Sequence, residues 1–197
     1  MSPSQSSRKN ELSRSEFSPG EFTEDERRFL LHLAHQSIDH ALDGRSFTPN
    51  VPGDHLAEQR GAFCTLYVNQ QLRGCVGYIF PVTPLFQTVA ETARAAAFDD
   101  PRFSALTRPE ALGLKISLSI LSPLFPVEPE QVEVGVHGLL VNFLGRRGLL
   151  LPQVPTEHNW ERQTFIEQTC IKAGLPSDAC KRGAKLEAFT AEIFGEE

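Results

Sequence analysis

Gly61-Ala62-Phe63-Cys64-Thr65-Leu66-Tyr67-Val68-Asn69-Gln70-Gln71-Leu72-Arg73-Gly74-Cys75-Val76-Gly77-Tyr78-Ile79-Phe80 is the stretch on which the fold turns. Two runs with strand character, Gly61 to Val68 and Leu72 to Phe80, flank Asn69-Gln70, and so short a link makes them a β-hairpin. A two-residue loop sets Val68 opposite Gln71, and the same register sets Cys64 opposite Cys75. Directly opposed residues lie roughly 4.5–5.5 Å apart on one face of a sheet, so the pairing predicts two neighbouring thiols. A one-residue bulge would undo it. Cys75 sits between Gly74 and Gly77, which permit close backbone approach. Arg73 falls on the strand face of Cys75 and, as a nearby cation, would favour the thiolate. A nucleophilic or redox-active Cys75 stands against two small core residues, since free cysteine is among the most buried types.

Outward from the hairpin, the pattern alternates between helices and strands. Upstream, Thr23 and Glu26 form a capping-box pair ahead of Leu30, Leu33, Ala34, Ile38, Ala41 and Leu42, a helix with one buried face closed by Gly44. Downstream, Thr83-Pro84 starts a second helix, with proline at its first position. Its apolar stripe runs from Leu85 to Ala97, and it stops before Pro101. Lys115 to Leu121 alternates as a half-buried strand. Pro123, Pro126 and Pro129 mark a connection between lobes. Gly138 to Phe143 and Arg147 to Leu151 form a second hairpin turning at Leu144-Gly145-Arg146. Trp160 to Ala173 is helical with Gly174 in its C-terminal cap, and Lys185 to Phe194 closes the domain as one strand. Hairpin-paired strands with interspersed helices make the fold α+β, with a mostly antiparallel sheet.

Composition narrows the function classes. A chain of 197 residues suits one domain or one domain of two lobes. A net charge of −6 argues against a nucleic-acid backbone as main partner. No apolar run is long enough to cross a bilayer, and Met1 to Gly20 lacks the apolar core of a secretory signal. Residues 1–20, rich in serine and charge, read as a disordered tail ahead of a domain over 21–197. Four cysteines without short paired spacings fit a reduced, cytoplasmic protein.

Other candidate groups each carry an ordinary alternative. Asp99 and Asp100 at a helix C-terminus oppose its dipole, so Arg102 or Arg73 should hold them, unless they form a solvated turn. Arg146 and Arg147 suit a carboxylate or phosphate, or else are a solvated hairpin tip. Gln153 is a polar group at the end of a buried strand. His32, His35 and Asp39 share a polar helix face, His137 and His158 stand alone, and no cysteine pair has zinc-finger spacing, so no structural metal is expected. Phosphate-loop, dinucleotide-fold and serine-hydrolase patterns do not occur.

Leu72-Arg73-Gly74-Cys75-Val76-Gly77, Asp100-Pro101-Arg102-Phe103, Gly145 to Val154 and Phe165 to Pro176 together resemble the AMMECR domain, whose prokaryotic members are protein A of the AmmeMemoRadiSam system. The resemblance runs from about Phe22 to Phe194. It implies a two-lobed α+β single domain, with a smaller β-rich lobe packed on a larger one that holds both termini, and a signature lining a cleft. It implies no cofactor for this chain, and it implies a Memo-like protein and a radical S-adenosylmethionine enzyme as partners. Carried over, the signature positions are Arg73, Gly74, Cys75, Gly77, Asp100, Pro101, Arg102, Phe103, Arg146, Arg147, Gly148, Pro152 and Gln153. Asn69-Gln70 departs from the Asn-Gly turn common in the family.

Two functions follow. In one, an arginine-rich cleft binds an acidic small molecule or a peptide terminus on behalf of those partners. In the other, Cys75 is a nucleophile or redox thiol, Arg73 stabilises charge, and the base comes from elsewhere, with His137 or Glu58 as candidates.

Overall fold

In a computed structural model of the protein, residues 20–50 and 53–196 are described. The residues expected to form a tail lie, apart from Gly20, outside this range. Two four-stranded antiparallel sheets, each with helices on one face, make two lobes. The larger lobe opens with α1 (Glu24–Leu42). The Thr23 hydroxyl accepts from the Glu26 amide at 3.3 Å, and the Glu26 carboxylate accepts from the Thr23 amide at 2.8 Å, so two orphan donors of the helix start are satisfied reciprocally. Leu30, Leu33, Ala34 and Ile38 form its buried stripe. Gly44 follows with φ +65°, a conformation glycine enters freely.

The expected hairpin is present as β1 (Ala62–Val68) and β2 (Gln71–Tyr78). Asn69 and Gln70 have φ of 52° and 64°, the turn geometry that twists with the flanking strands. A short 3-10 turn, His55–Ala57, precedes it. Helix α2 (Leu85–Phe98) begins one residue later than expected, with Pro84 in the N-cap position. After α3 (Arg108–Ala111), capped by Thr107 and Glu110, β3 (Leu114–Leu121) completes the central pairing. With the C-terminal strand β8 (Ala191–Gly195), the strand order is β2-β1-β3-β8, so β2 is an edge. Ala62, Cys64, Leu66, Ile116, Leu118 and Ile120 pack against Leu30, Ile38, Leu85 and Val89, so α1 and α2 cover one face. Among the described residues, the opposite face carries no helix of this core.

The chain crosses to the second lobe at Ser122 and continues through β4 (Phe125–Pro126) and the turn Pro129–Gln131 into the hairpin β5 (Gly138–Phe143) and β6 (Arg146–Leu150). A five-residue helix, α4 (Gln153–Glu157), follows, then α5 (Arg162–Lys172). Helix α5 is shorter than expected at its start, and Trp160 lies before it, stacked on His158 at 4.8 Å. Phe165, Ile166 and Cys170 pack with Leu139, Val141 and Leu186 in a separate core.

The expected single strand Lys185 to Phe194 is two. β7 (Lys185–Phe189) belongs to the second sheet and β8 (Ala191–Gly195) to the first. The chain returns between lobes at Thr190, whose amide donates to the Ser122 hydroxyl and whose carbonyl accepts from the Ser122 amide, both at 2.9 Å. The two crossing segments are thus tied to each other. Leu121, Leu140 and Phe189 are buried outside both cores, beside this crossing. Among the described residues, no helix is long and apolar enough to cross a membrane.

Candidate functional site

Gly74 fixes how closely α2 can approach β2, because a side chain there would overlap the carbonyl of Ala96. It faces the helices, so the backbone that approaches it is the protein's own. Next to it the hairpin register shifts by one residue. Tyr67 pairs Leu72 but Leu66 pairs Gly74, which leaves Arg73 as the extra residue of a β-bulge. The expected opposition of Cys64 and Cys75 is therefore corrected: Cys75 pairs Thr65 and Cys64 pairs Val76. Because successive residues alternate faces, the two thiols point to opposite sides of the sheet. Cys64 is in the core, where burial pushes its thiol well above the usual range.

The bulge also redirects Arg73. Its guanidinium donates to Glu110 at 2.9 Å and to the Ala105 carbonyl at 3.3 Å, and lies 5.9 Å from the Phe103 ring centre. These hydrogen bonds, with those from Thr107, draw the Glu110 carboxyl down to about 2. Arg73 anchors α3 to the bulge rather than attending the thiol.

Cys75 is held from the open edge of β2. Its amide donates to Asp100 at 2.9 Å, and its carbonyl accepts from Arg102 at 3.3 Å. Arg102 also donates to both oxygens of Asp100, at 3.0 and 2.7 Å. The Arg102 contacts hold the Asp100 carboxyl far below the ordinary carboxylate range against its desolvation, and the Cys75 amide helps. Of the two aspartates at the end of α2, Arg102 thus holds Asp100, and Arg94 holds Asp99 at 3.0 Å.

The sulfur of Cys75 lies on the face away from the helices, half-buried, 3.3 Å from the Thr65 hydroxyl. Thr65 pairs Ser117, which pairs Gly195, so a thiol, two hydroxyls and a bare backbone form one cross-strand row. Phe63 and Tyr67, two residues to either side of Thr65 on β1, flank this row on the same face. The Phe63 ring lies across Gly77, where any side chain would overlap it. Gly77 makes room for an aromatic ring, as Gly74 does for a helix.

The second lobe contributes through β6, whose adjacent arginines face opposite ways. Arg146 lies on the α5 side and donates to the carbonyl of Gly174, just past the helix end. Arg147 lies on the other side, 5.7 Å from the ring centre of Phe80, two residues beyond the end of β2. Among the described residues Arg147 has no carboxylate partner. Gln153 is exposed in the first turn of α4, not at a strand end. With Val136, Thr156, Ala191 and Ile193 it lines a hollow of about 280 Å³.

The family model described as AMMECR1 matches residues 31–194. The chain belongs to the AMMECR1 family. It is 40% identical to protein MK0488 of Methanopyrus kandleri over 89% of this chain and 90% of that one. It is 37% identical to protein MJ0810 of Methanocaldococcus jannaschii, over 88% and 92%. The crystal structure of an uncharacterized protein, PH0010, from Pyrococcus horikoshii is similar with a TM-score of 0.71 at 38% identity, over 86% of this chain and 90% of that one.

In this AMMECR1-family chain, the two candidate bases are engaged elsewhere. The His137 ring accepts from the Glu133 amide at 3.1 Å and packs against Phe125, while Glu58 pairs with Arg60 at 2.9 Å. Among the described residues, the sulfur of Cys75 has Thr65 as its one side-chain hydrogen-bond partner. Two features gave no signal in the sequence. Glu21, His55 and Glu58 converge to within 4.8 Å, a spacing that could suit a metal ion. The buried guanidinium of Arg60 already pairs with both carboxylates, so the positive charge they call for is present. A hollow of about 650 Å³ lies between α1 and α2, lined by Ser37, Phe47, Gln87, Arg94 and Phe98 among others, and does not include Cys75.

Proposed function

We propose that the protein is a binding component that holds an acidic small molecule or the carboxylate terminus of a peptide over the open face of the first sheet. One observation carries this reading: Arg147 has no carboxylate partner among the described residues and stands over Phe80, two residues past the end of the strand that carries Cys75. Arg73, Arg102 and Arg146 are each engaged inside the protein, so Arg147 is the arginine of the signature free to meet a ligand. Asp100 and Arg102 occupy the β2 edge at Cys75, which disfavours strand addition there and favours a ligand resting on the face. The family resemblance supports a Memo-like protein and a radical S-adenosylmethionine enzyme as the partners such binding would serve, in the cytoplasm.

Fluorescent peptides of random sequence, with free or amidated C-termini, test the reading by polarisation. Retention of free-carboxylate peptides, loss on amidation and loss in Arg147→Ala are expected. Equal retention of amidated peptides would sink it.

A second reading, Cys75 as nucleophile, is favoured by the half-buried sulfur on an open face and by the fixed backbone beneath it. Its measure is the rate of Cys75 alkylation against pH. Reaction well below the ordinary thiol pKa of about 8.5 supports it, and reaction only near that value counts against it.

A further inference from the structure

Cys170 and Cys180 lie in the second lobe and have no part in the ligand face. Their sulfurs are 3.7 Å apart. Cys170 is wholly buried in the last turn of α5, and Cys180 is half-buried in the 3-10 turn Ala179–Arg182. Cys180 also lines a hollow of about 150 Å³, with Pro129, Gln163, Ile166, Asp178 and Lys181 among its walls, and Cys170 does not. That volume holds several molecules of water size, at about 30 Å³ each. One sulfur is thus reachable, and the other waits behind it at near-contact distance.

We propose that Cys170 and Cys180 are an oxidisable dithiol, converted by a hydroperoxide entering this hollow into an intramolecular disulfide. The Cys180 thiolate attacks one peroxide oxygen. The O–O bond breaks, and the leaving oxygen takes up protons as water (or as the alcohol of an organic peroxide). The sulfenic acid formed at Cys180 is then attacked by Cys170, the S–O bond breaks, and a second water leaves. Two thiols lose two electrons, and the peroxide gains them. The segment closed by the new bond includes Gly174, whose carbonyl accepts from Arg146, so the bond would tie the end of α5 and the turn at Cys180 into one unit beside β6.

Burial, with Cys170 alongside, pushes the Cys180 thiol up to about 12. Thiolate is therefore scarce at neutral pH, which makes the pair a slow lock rather than a fast peroxide sensor.

The test uses the full chain, reduced, freed of reductant and treated with hydrogen peroxide at pH 7 and pH 9. Alkylation and trypsin digestion without reductant follow. Cleavage after Arg162, Lys172 and Lys181 makes the disulfide visible as peptide 163–172 joined to peptide 173–181. The joined pair is expected, formed at least tenfold faster at pH 9 and lost on reduction, with a melting temperature higher by about 5 °C. Cys180→Ser should abolish both effects, while Cys75→Ser keeps them. Sulfonic acid at Cys180 without linkage, linkage between chains or to another cysteine, or a joined pair with no thermal shift would each overturn the proposal. The wild-type peptide map and melt decide the matter even if a substituted chain misfolds.

Discussion

The backbone amide of Cys75 donates to the carboxylate of Asp100 at 2.9 Å, across 25 residues of chain, and this bond fixes the thiol's strand from its open edge. Asp100 is 5% exposed, so its removal leaves the Cys75 amide without its acceptor and takes from Arg102 its carboxylate partner. Asp100→Ala is expected to cost about 2 kcal/mol in urea unfolding, and Asp100→Asn less, because the amide oxygen can still accept from Cys75. The pH dependence follows from a folded-state pKa below the ordinary value. Stabilisation is complete above about pH 4 and is lost as pH falls toward the folded value. Glu110, drawn down to about 2 from 4.5, adds to the same acid limb. A shallower acid limb in Asp100→Asn than in wild type is the expected outcome.

The two signature glycines on β2 make unequal demands. A side chain at Gly74 meets the backbone of α2 at Ala96, which cannot move without shifting the helix. At Gly77 it meets the Phe63 ring, which can rotate away. Gly74→Ala should therefore lose about 3 kcal/mol and Gly77→Ala about 1 kcal/mol. Urea midpoints of the two variants check the order, and a larger loss at Gly77 would contradict the packing described.

Much of this fold was legible in the sequence because local periodicity carries it: the capped α1, the first hairpin and β3 all lie within one or two residues of expectation. What failed is non-local. The alternation from Lys185 changes phase at Ala188-Phe189, and pairing with two different sheets splits the run at Thr190. The bulge at Arg73 follows from pairing with β1 and from the pull of Glu110, which lies 37 residues away. Its one-residue shift turned Cys75 to the face opposite Cys64. Arg146 and Arg147 read as a pair because they are adjacent, although adjacency on a strand places them on opposite faces. Helix α4 was hidden by Pro152 and Pro155 within a span of five residues.

That separation of the arginines can be measured. Arg146→Ala removes a donor to the Gly174 carbonyl at the end of α5 and should cost about 1 kcal/mol while leaving binding of free-carboxylate peptides unchanged. Arg147→Ala loses only a surface contact with Phe80, so stability should stay within about 0.5 kcal/mol while peptide binding falls. Parallel urea melts and polarisation titrations separate the two roles. Equal effects of both substitutions on binding would place the arginines in one site after all.

At the other end of the first lobe, His55 makes the N-terminal contact dependent on pH. Its ring stacks on Phe22 at 5.0 Å, and its Nδ1 lies 2.7 Å from the Glu26 carboxylate that also caps α1. Glu21 and Glu58 add negative charge nearby, and Arg60 adds the opposing positive charge. The hydrogen bond to Glu26 raises the His55 pKa above 6.5, even against partial burial. A raised folded-state value means that the stabilisation is complete below about pH 6.5 and is lost as pH rises through the folded pKa. Because the ring is partly exposed, the effect on melting should be only about 1–2 °C between pH 6 and pH 9. His55→Gln should flatten that difference, and amide protection at the start of α1, relative to the intrinsic exchange rate at each pH, should fall over the same range in wild type alone. A wild-type profile that rises toward pH 9 would have the wrong sign for this contact.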